Sequence, residues 1–232
     1  MKRGTVDRRV AALGLGLLAA GPALVAKGAD KKPSPIAHGV LADNSLAQAF
    51  EEIDRELPGV YLWTLDGKRK HIDELKGRTL VMPLWAEWCA PCLSELPDFA
   101  RLQQKYGNDK FAIVPILTRT QKKFTPEFLA KIFGEMHCGV FEPLIENNLG
   151  DALFTRMARR GSSAYLPCNL LIAPSGHVVG REIGRLDNTD DADPAKTAKD
   201  MINRAASGAV QSRWGQQDGE DFAKAMADGF LA

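Results

Sequence analysis

The sequence predicts an α/β protein, a central mixed β-sheet flanked by helices, and three observations carry the prediction. Apolar runs of strand length alternate along the chain with segments of helical period. Breaks rich in Gly and Pro separate them, and the turn Ala173-Pro174-Ser175-Gly176 is short enough to join two apolar runs as an antiparallel hairpin, so the sheet is not all parallel. A chain of 232 residues with 45% hydrophobic and 25% charged side chains suffices for one ordinary globular core plus flanking segments.

Residues 1–9 are basic, and residues 10–26 are apolar, uncharged and end in small side chains. This is the pattern of an export signal, which is either cleaved after about Ala26 or retained as a membrane anchor. Arg8-Arg9 invites a twin-arginine reading that Asp7 fits poorly; either export route leads to the periplasm or otherwise out of the cytoplasm. Only this segment, if uncleaved, ties the chain to a membrane. Residues 27–44, with K-K-P-S-P among them, read as a linker.

The core domain is expected over residues 45–206. Leu46, Phe50, Ile53 and Leu57, at spacings of three and four, predict an amphipathic helix over 45–57. Strands follow at 59–65 and 78–85, with an Asp66-Gly67 turn and a short second arm between them. Leu96, Phe99, Leu102 and Tyr106 form a helical stripe that stops at Gly107. Residues 111–118 read as a buried strand, and Thr125-Pro126-Glu127 opens a helix with a polar cap and a proline at its first position. A strand at 139–146, a helix near 150–160, strands at 168–173 and 177–183, an acidic loop at 187–193 and a helix near 194–206 complete the domain. The extension 207–232 carries Phe222, Ala225, Met226 and Phe230 at helical spacing, a stripe suited to packing on the core or to a partner.

A net charge of +1 leaves no basic excess for nucleic acid. Of four cysteines, Cys89 and Cys92 stand two residues apart inside L-W-A-E-W-C-A-P-C-L-S-E-L-P, residues 84–97. Zinc needs four ligands, and neither a second close pair nor a matching histidine pair exists, His38, His71, His137 and His177 being scattered. Cys89 follows a strand and opens a helix, so its sulfur should meet unpaired backbone N–H groups and the positive end of the helix dipole, both of which favour thiolate. It is the expected nucleophile, with Cys92, one turn further in, the resolving thiol of a disulfide exchange that needs no cofactor beyond the pair itself. Pro91 stiffens the turn between them. Trp85 reads as core beneath the site, Trp88 as part of the surface that docks substrate, and Glu87 as exposed.

The segment W-A-E-W-C-A-P-C resembles the active site of thioredoxins, and Glu95 and Pro97 in C-L-S-E-L-P match the exported TlpA-like and ResA-like thiol-disulfide oxidoreductases. The resemblance extends over about residues 60–206 and includes D-E-L-K-G-R-T-L-V at 73–81 and L-P-C-N-L-L-I-A-P-S-G-H-V-V-G at 166–180. It implies a thioredoxin-like fold with an N-terminal β-hairpin and an inserted strand and helix. It also implies a cis Pro167 facing the cysteines, with Leu166, Pro91 and Trp88 at the substrate. The implied activity is reduction of disulfides in partner proteins, such as apocytochrome c or copper-site proteins, with recharging by a membrane electron donor of the DsbD/CcdA type. The competing reading is a copper-handling or apoprotein-docking module without turnover.

Two departures stand out. Relatives carry an acid or polar residue two positions before the first tryptophan, where this chain has Pro83, which can shuttle no proton and removes a ladder donor; Glu95 is the substitute candidate. Cys168 follows Pro167 where relatives tend to have threonine or serine, and an inert buried thiol, a disulfide with Cys138, or a redox role are the open readings.

Overall fold

Seven consecutive buried residues, Thr79–Trp85, form the strand around which the fold is laid. A computed structural model describes residues 41–120, 125–146, 152–184 and 215–231. The strands of its main sheet are β1 (Glu51–Glu56), β2 (Tyr61–Trp63), β3 (Arg69–His71), β4 (Thr79–Trp85), β5 (Phe111–Ile113), β6 (Ile116–Leu117), β7 (Leu144–Glu146), β10 (Cys168–Ile172) and β11 (His177–Ile183); β8 (Arg159–Arg160) and β9 (Ser163–Ala164) pair separately. The helices are α1 (Ser45–Ala49), α2 (Ala90–Tyr106), α3 (Pro126–Glu135), α4 (Ala152–Met157) and α5 (Gly215–Asp228). The sheet runs β1-β11-β10-β4-β6-β7-β2-β3, with β5 beside β4 ahead of β6. β4 is antiparallel to β10 and parallel to β5 and β6, giving the mixed sheet of a thioredoxin-like α/β fold.

Alternation along β4 divides the core. Val81 and Trp85 face a cluster made with α1, α2, α3 and α5, whereas Leu80, Met82 and Leu84 face one made with α4 and the 3-10 turn Ile72–Leu75. Both faces of the central strand are thus covered, which is why it reads as an unbroken apolar run. Pro83 is tolerated because β4 pairs with β5 through Val81 and with β6 from Leu84 onward. The ladder is interrupted opposite Met82 and Pro83, where the neighbouring strand has its own break at Pro115.

Several expectations need correction. The helix expected over 45–57 stops at Ala49, and residues 51–56 form edge strand β1 against β11. The apolar stripe is split by the sheet: Leu46 and Phe50 enter the α2 side, while Leu57 and the partly buried Ile53 pack on the other. Pairing to β11, reinforced by Glu51 with Arg181 and by Asp54 with His177 at 3.0 Å, outweighs the helical spacing. Residues on either side of 45–206 also pack on the core, the C-terminal stripe as a helix. Leu41 is buried, the Asn44 side chain caps α1 by accepting from the Ala47 N–H (2.9 Å), and α5 buries Phe222, Ala223 and Met226 against the core. The strands expected at 111–118 and 139–146 are shorter than read, split at Pro115 and confined to Leu144–Glu146. The signal at 1–26, most of the 27–44 linker, the acidic loop and the 194–206 helix lie outside the described residues. Among the described residues no helix is long and apolar enough to cross a membrane.

Candidate active site

Three segments meet at the C-terminal end of β4. The Thr118 N–H donates to the Trp85 carbonyl (2.8 Å), and Trp88 Nε1 donates to the Arg119 carbonyl (2.9 Å), fixing the loop after β6 beside the loop before α2. Pairing of Cys168 with Leu84 brings Pro167 to the same end. The Leu166–Pro167 peptide is cis, and the Pro167 carbonyl accepts from the Gly184 N–H at 3.1 Å.

Cys89 is the N-cap of α2, with extended backbone at φ −88° and ψ 91°. Its carbonyl accepts the first helical bond, from the Leu93 N–H (3.1 Å), and its Sγ accepts from the Cys92 N–H at 3.3 Å. Pro91 lies in the first turn, where its lacking N–H costs nothing. Cys89 and Cys92 form a disulfide, S–S 2.03 Å, and both are buried. α2 runs on through Pro97 to Tyr106 and is capped by Gly107.

Trp85 is fully buried, edge-on to Phe133 (5.5 Å between centroids), whereas Trp88, next to Cys89, is 46% exposed. Glu87, expected at the surface, is buried. Leu166 is partly buried between the two core clusters. Glu95, one turn beyond Cys92, is only 5% exposed, so it is no solvated helix residue. Its Oε2 accepts from Asn169 Nδ2 (3.1 Å), and the same nitrogen donates to Glu182 Oε2 (3.1 Å). Asn169 pairs with Pro83 across β10 and β4 and with Glu182 across β10 and β11, so the buried amide lies on the α2 side, at the register of the side chain that proline removes.

Cys138 and Cys168 do not pair: both are free, buried thiols, one in the α2-side cluster and the other in the cluster across the sheet. Burial pushes the Cys138 thiol up to about 12 and raises Cys168 further, keeping both protonated and inert. A separate cavity of about 620 Å³, with Lys70, Arg78, Asp66 and Glu142 among its lining residues, contains none of the four cysteines. Among the described residues no group of three or more His, Cys, Asp or Glu is placed to hold a metal.

Asn169 and Glu182 escape a reading by sequence alone. The signal for Asn169 is a lone amide inside the otherwise apolar run C-N-L-L-I, where a buried polar group must have partners. Glu182 looks like an ordinary outward residue of an alternating strand until the register places it beside Asn169.

A family model described as Redoxin matches residues 42–195. The chain is 27% identical over 146 residues to "Thiol-disulfide oxidoreductase ResA" of a Bacillus cereus strain, covering 63% of this chain and 76% of that protein. It is 30% identical over 92 residues to "Thioredoxin-like protein YneN" of Bacillus subtilis (strain 168), covering 40% of this chain and 52% of YneN, so it spans about half the length of that relative. A solved thiol:disulfide interchange protein of the thioredoxin family from Chlorobium tepidum TLS is 21% identical, with 68% of this chain and 98% of that one covered at a TM-score of 0.45. The Redoxin match spans well over half the sequence and takes in the cysteine pair, the cis proline and the sheet between them, and on that ground the chain belongs to the Redoxin family, with ResA-type thiol-disulfide oxidoreductases among its relatives.

Proposed function

We propose that this protein is an extracytoplasmic thiol-disulfide oxidoreductase that reduces disulfides in partner proteins by exchange through Cys89 and Cys92. The observation that carries the reading is the Cys89 sulfur at the cap of a 17-residue helix, accepting the Cys92 N–H at 3.3 Å. In the reduced protein the same donor and the helix dipole favour the Cys89 thiolate over the thiol.

The thiolate attacks one sulfur of a substrate disulfide, forming the Cys89–substrate bond and releasing the other substrate sulfur as a thiolate. Cys92 then gives up its proton, bonds to Cys89 Sγ and displaces the first substrate sulfur. Two electrons have passed to the substrate, and the pair is left as the disulfide. Pro83 offers no acceptor for the Cys92 proton; Glu95, buried on α2 one turn away, is the carboxylate we assign to it. The exposure of Trp88, next to Cys89 in the chain, and the position of the partly buried Leu166 and the cis Pro167 at the same end of β4 support a substrate face there, suited to an extended segment carrying a disulfide.

The apolar, uncharged run at 10–26 supports export, and a thiol pair outside the cytosol needs its own reductant. A membrane electron donor of the DsbD/CcdA type fits that need. Apocytochrome c and copper-site proteins, whose cysteines must be reduced before they bind metal or haem, are the substrate class we favour.

Trapping tests the reading. Cys92→Ser accumulates mixed disulfides with partner proteins, Cys89→Ser does not, and the wild-type domain accelerates insulin reduction by dithiothreitol. Equal trapping by the two variants overturns the roles. No acceleration, with stoichiometric Cu(I) uptake by the pair, replaces the enzyme with a copper-handling module.

A further inference from the structure

The buried carboxylate of Glu182 has no part in the exchange as described. It lies on β11, 7% exposed, and shares the two N–H bonds of the Asn169 amide with Glu95, both at 3.1 Å. Asn169 is fully buried, and its Oδ1 has no hydrogen-bond partner among the described residues. Two carboxylates are therefore held at one amide on the side of the sheet covered by α2, the helix that carries Cys92.

We infer that Glu182 is a positioning residue of the exchange: with Glu95, through Asn169, it forms one carboxylate pair that takes up as a unit the proton Cys92 loses on attacking the mixed disulfide. The inference rests on the exchange chemistry proposed above. The atoms balance within that step. The proton passes from Cys92 Sγ to the pair, the Cys92–Cys89 bond forms, the bond from Cys89 to substrate breaks, and the electron pair leaves on the substrate sulfur.

A second carboxylate is needed because a free thiol near 8.5 and an isolated glutamate near 4.3 differ by about four units, so the transfer is uphill by a factor of about ten thousand. Two carboxylates at one site resist carrying two negative charges and bind a first proton more tightly than either alone, which narrows that gap. Cys92 and Cys89 belong to the apolar cluster on the α2 side, Pro83 of β4 brings no charge, and Cys168, Arg181 and Glu51 belong to the opposite side of the sheet, where Arg181 bonds Glu51 and the carbonyls of Met157 and Arg159.

The test is a carboxyl-carbon NMR titration of the oxidised protein, joined to the pH–rate profile for resolution of a preformed mixed disulfide. Glu95 and Glu182 are expected to titrate together in two shared steps, the upper above the ordinary carboxylate range. In Glu182→Gln, Glu95 shows one step at least a unit below that upper step, the pH–rate profile moves down with it, and resolution near neutrality slows about tenfold or more. Glu182→Asp restores most of the shared titration. Glu95→Gln shifts Glu182 symmetrically, an arm that stands if the Glu182 variants fail to fold. Independent single steps in the wild type, or a profile unmoved by Glu182→Gln, overturn the pair. A wild type that resolves no mixed disulfide at any pH sinks the exchange reading instead, while the titration still decides whether the pair exists.

Discussion

Glu146 offers the sharpest structural prediction, because one buried carboxylate joins three pieces of the fold next to the candidate active site. It ends β7, is 3% exposed, and accepts from Thr118 Oγ1 at 2.6 Å, from the Leu153 N–H at 2.7 Å and from the Phe154 N–H at 3.3 Å. It thereby caps α4 and fixes Thr118, whose neighbour Arg119 holds Trp88 through its carbonyl. Glu146→Ala removes the acceptor and leaves these donors in a site with little water. Each orphaned buried donor costs about 1–3 kcal/mol. The Phe154 contact is long and counts for least. Two strong contacts in one network, which do not add fully, give an expected loss of about 3 kcal/mol. With a urea slope of about 2 kcal/mol/M, the unfolding midpoint of the oxidised protein falls by about 1.5 M. Glu146→Gln, which keeps one acceptor oxygen, falls between wild type and Ala. A Glu146→Ala midpoint within about 0.3 M of wild type refutes the reasoning.

Two further predictions concern the core. Phe222, 2% exposed and stacked on Phe50 at 5.9 Å, ties α5 to the fold, so Phe222→Ala should cost about 3–4 kcal/mol in urea unfolding; a loss below about 1 kcal/mol means that α5 is only loosely attached. The buried Cys138 thiol, raised from 9.0 to about 12, contributes stability that is complete below 9.0 and lost as pH rises through about 12, because the unfolded chain releases the proton first. Wild type should therefore lose more stability than Cys138→Ala across that window in parallel urea titrations, and a thiol reagent should modify neither Cys138 nor Cys168 before unfolding. Equal pH dependence of the two proteins contradicts the assignment.

The strand and helix order was legible where local pattern and tertiary demand agree. Thr125 caps α3 by accepting from the Phe128 N–H (3.2 Å), Gly107 ends α2, and Gly176, at φ 91°, turns the β10–β11 hairpin, each written in residue types that serve one purpose. Residues 45–57 misled because spacings of three and four also occur in a chain that passes from one side of a sheet to the other. The cap position of Cys89 could be read from a strand, a turn and a helix in succession. The Glu95–Asn169–Glu182 contact could not, since it depends on the register of β10 against both neighbours, and one-residue slips would turn Asn169 to the other face. The isolation of Cys138 from Cys168 is likewise a fact of sheet sides, invisible in sequence spacing.

Stabilisation of a Cys89 thiolate by the α2 cap is open to titration of the reduced protein by ultraviolet thiolate absorbance, in wild type and in Cys92→Ser. Cys89 is expected to ionise at least one unit below the value of about 8.5 for free cysteine, and ahead of Cys92. Ionisation of Cys89 at or above that value, or of Cys92 first, contradicts it.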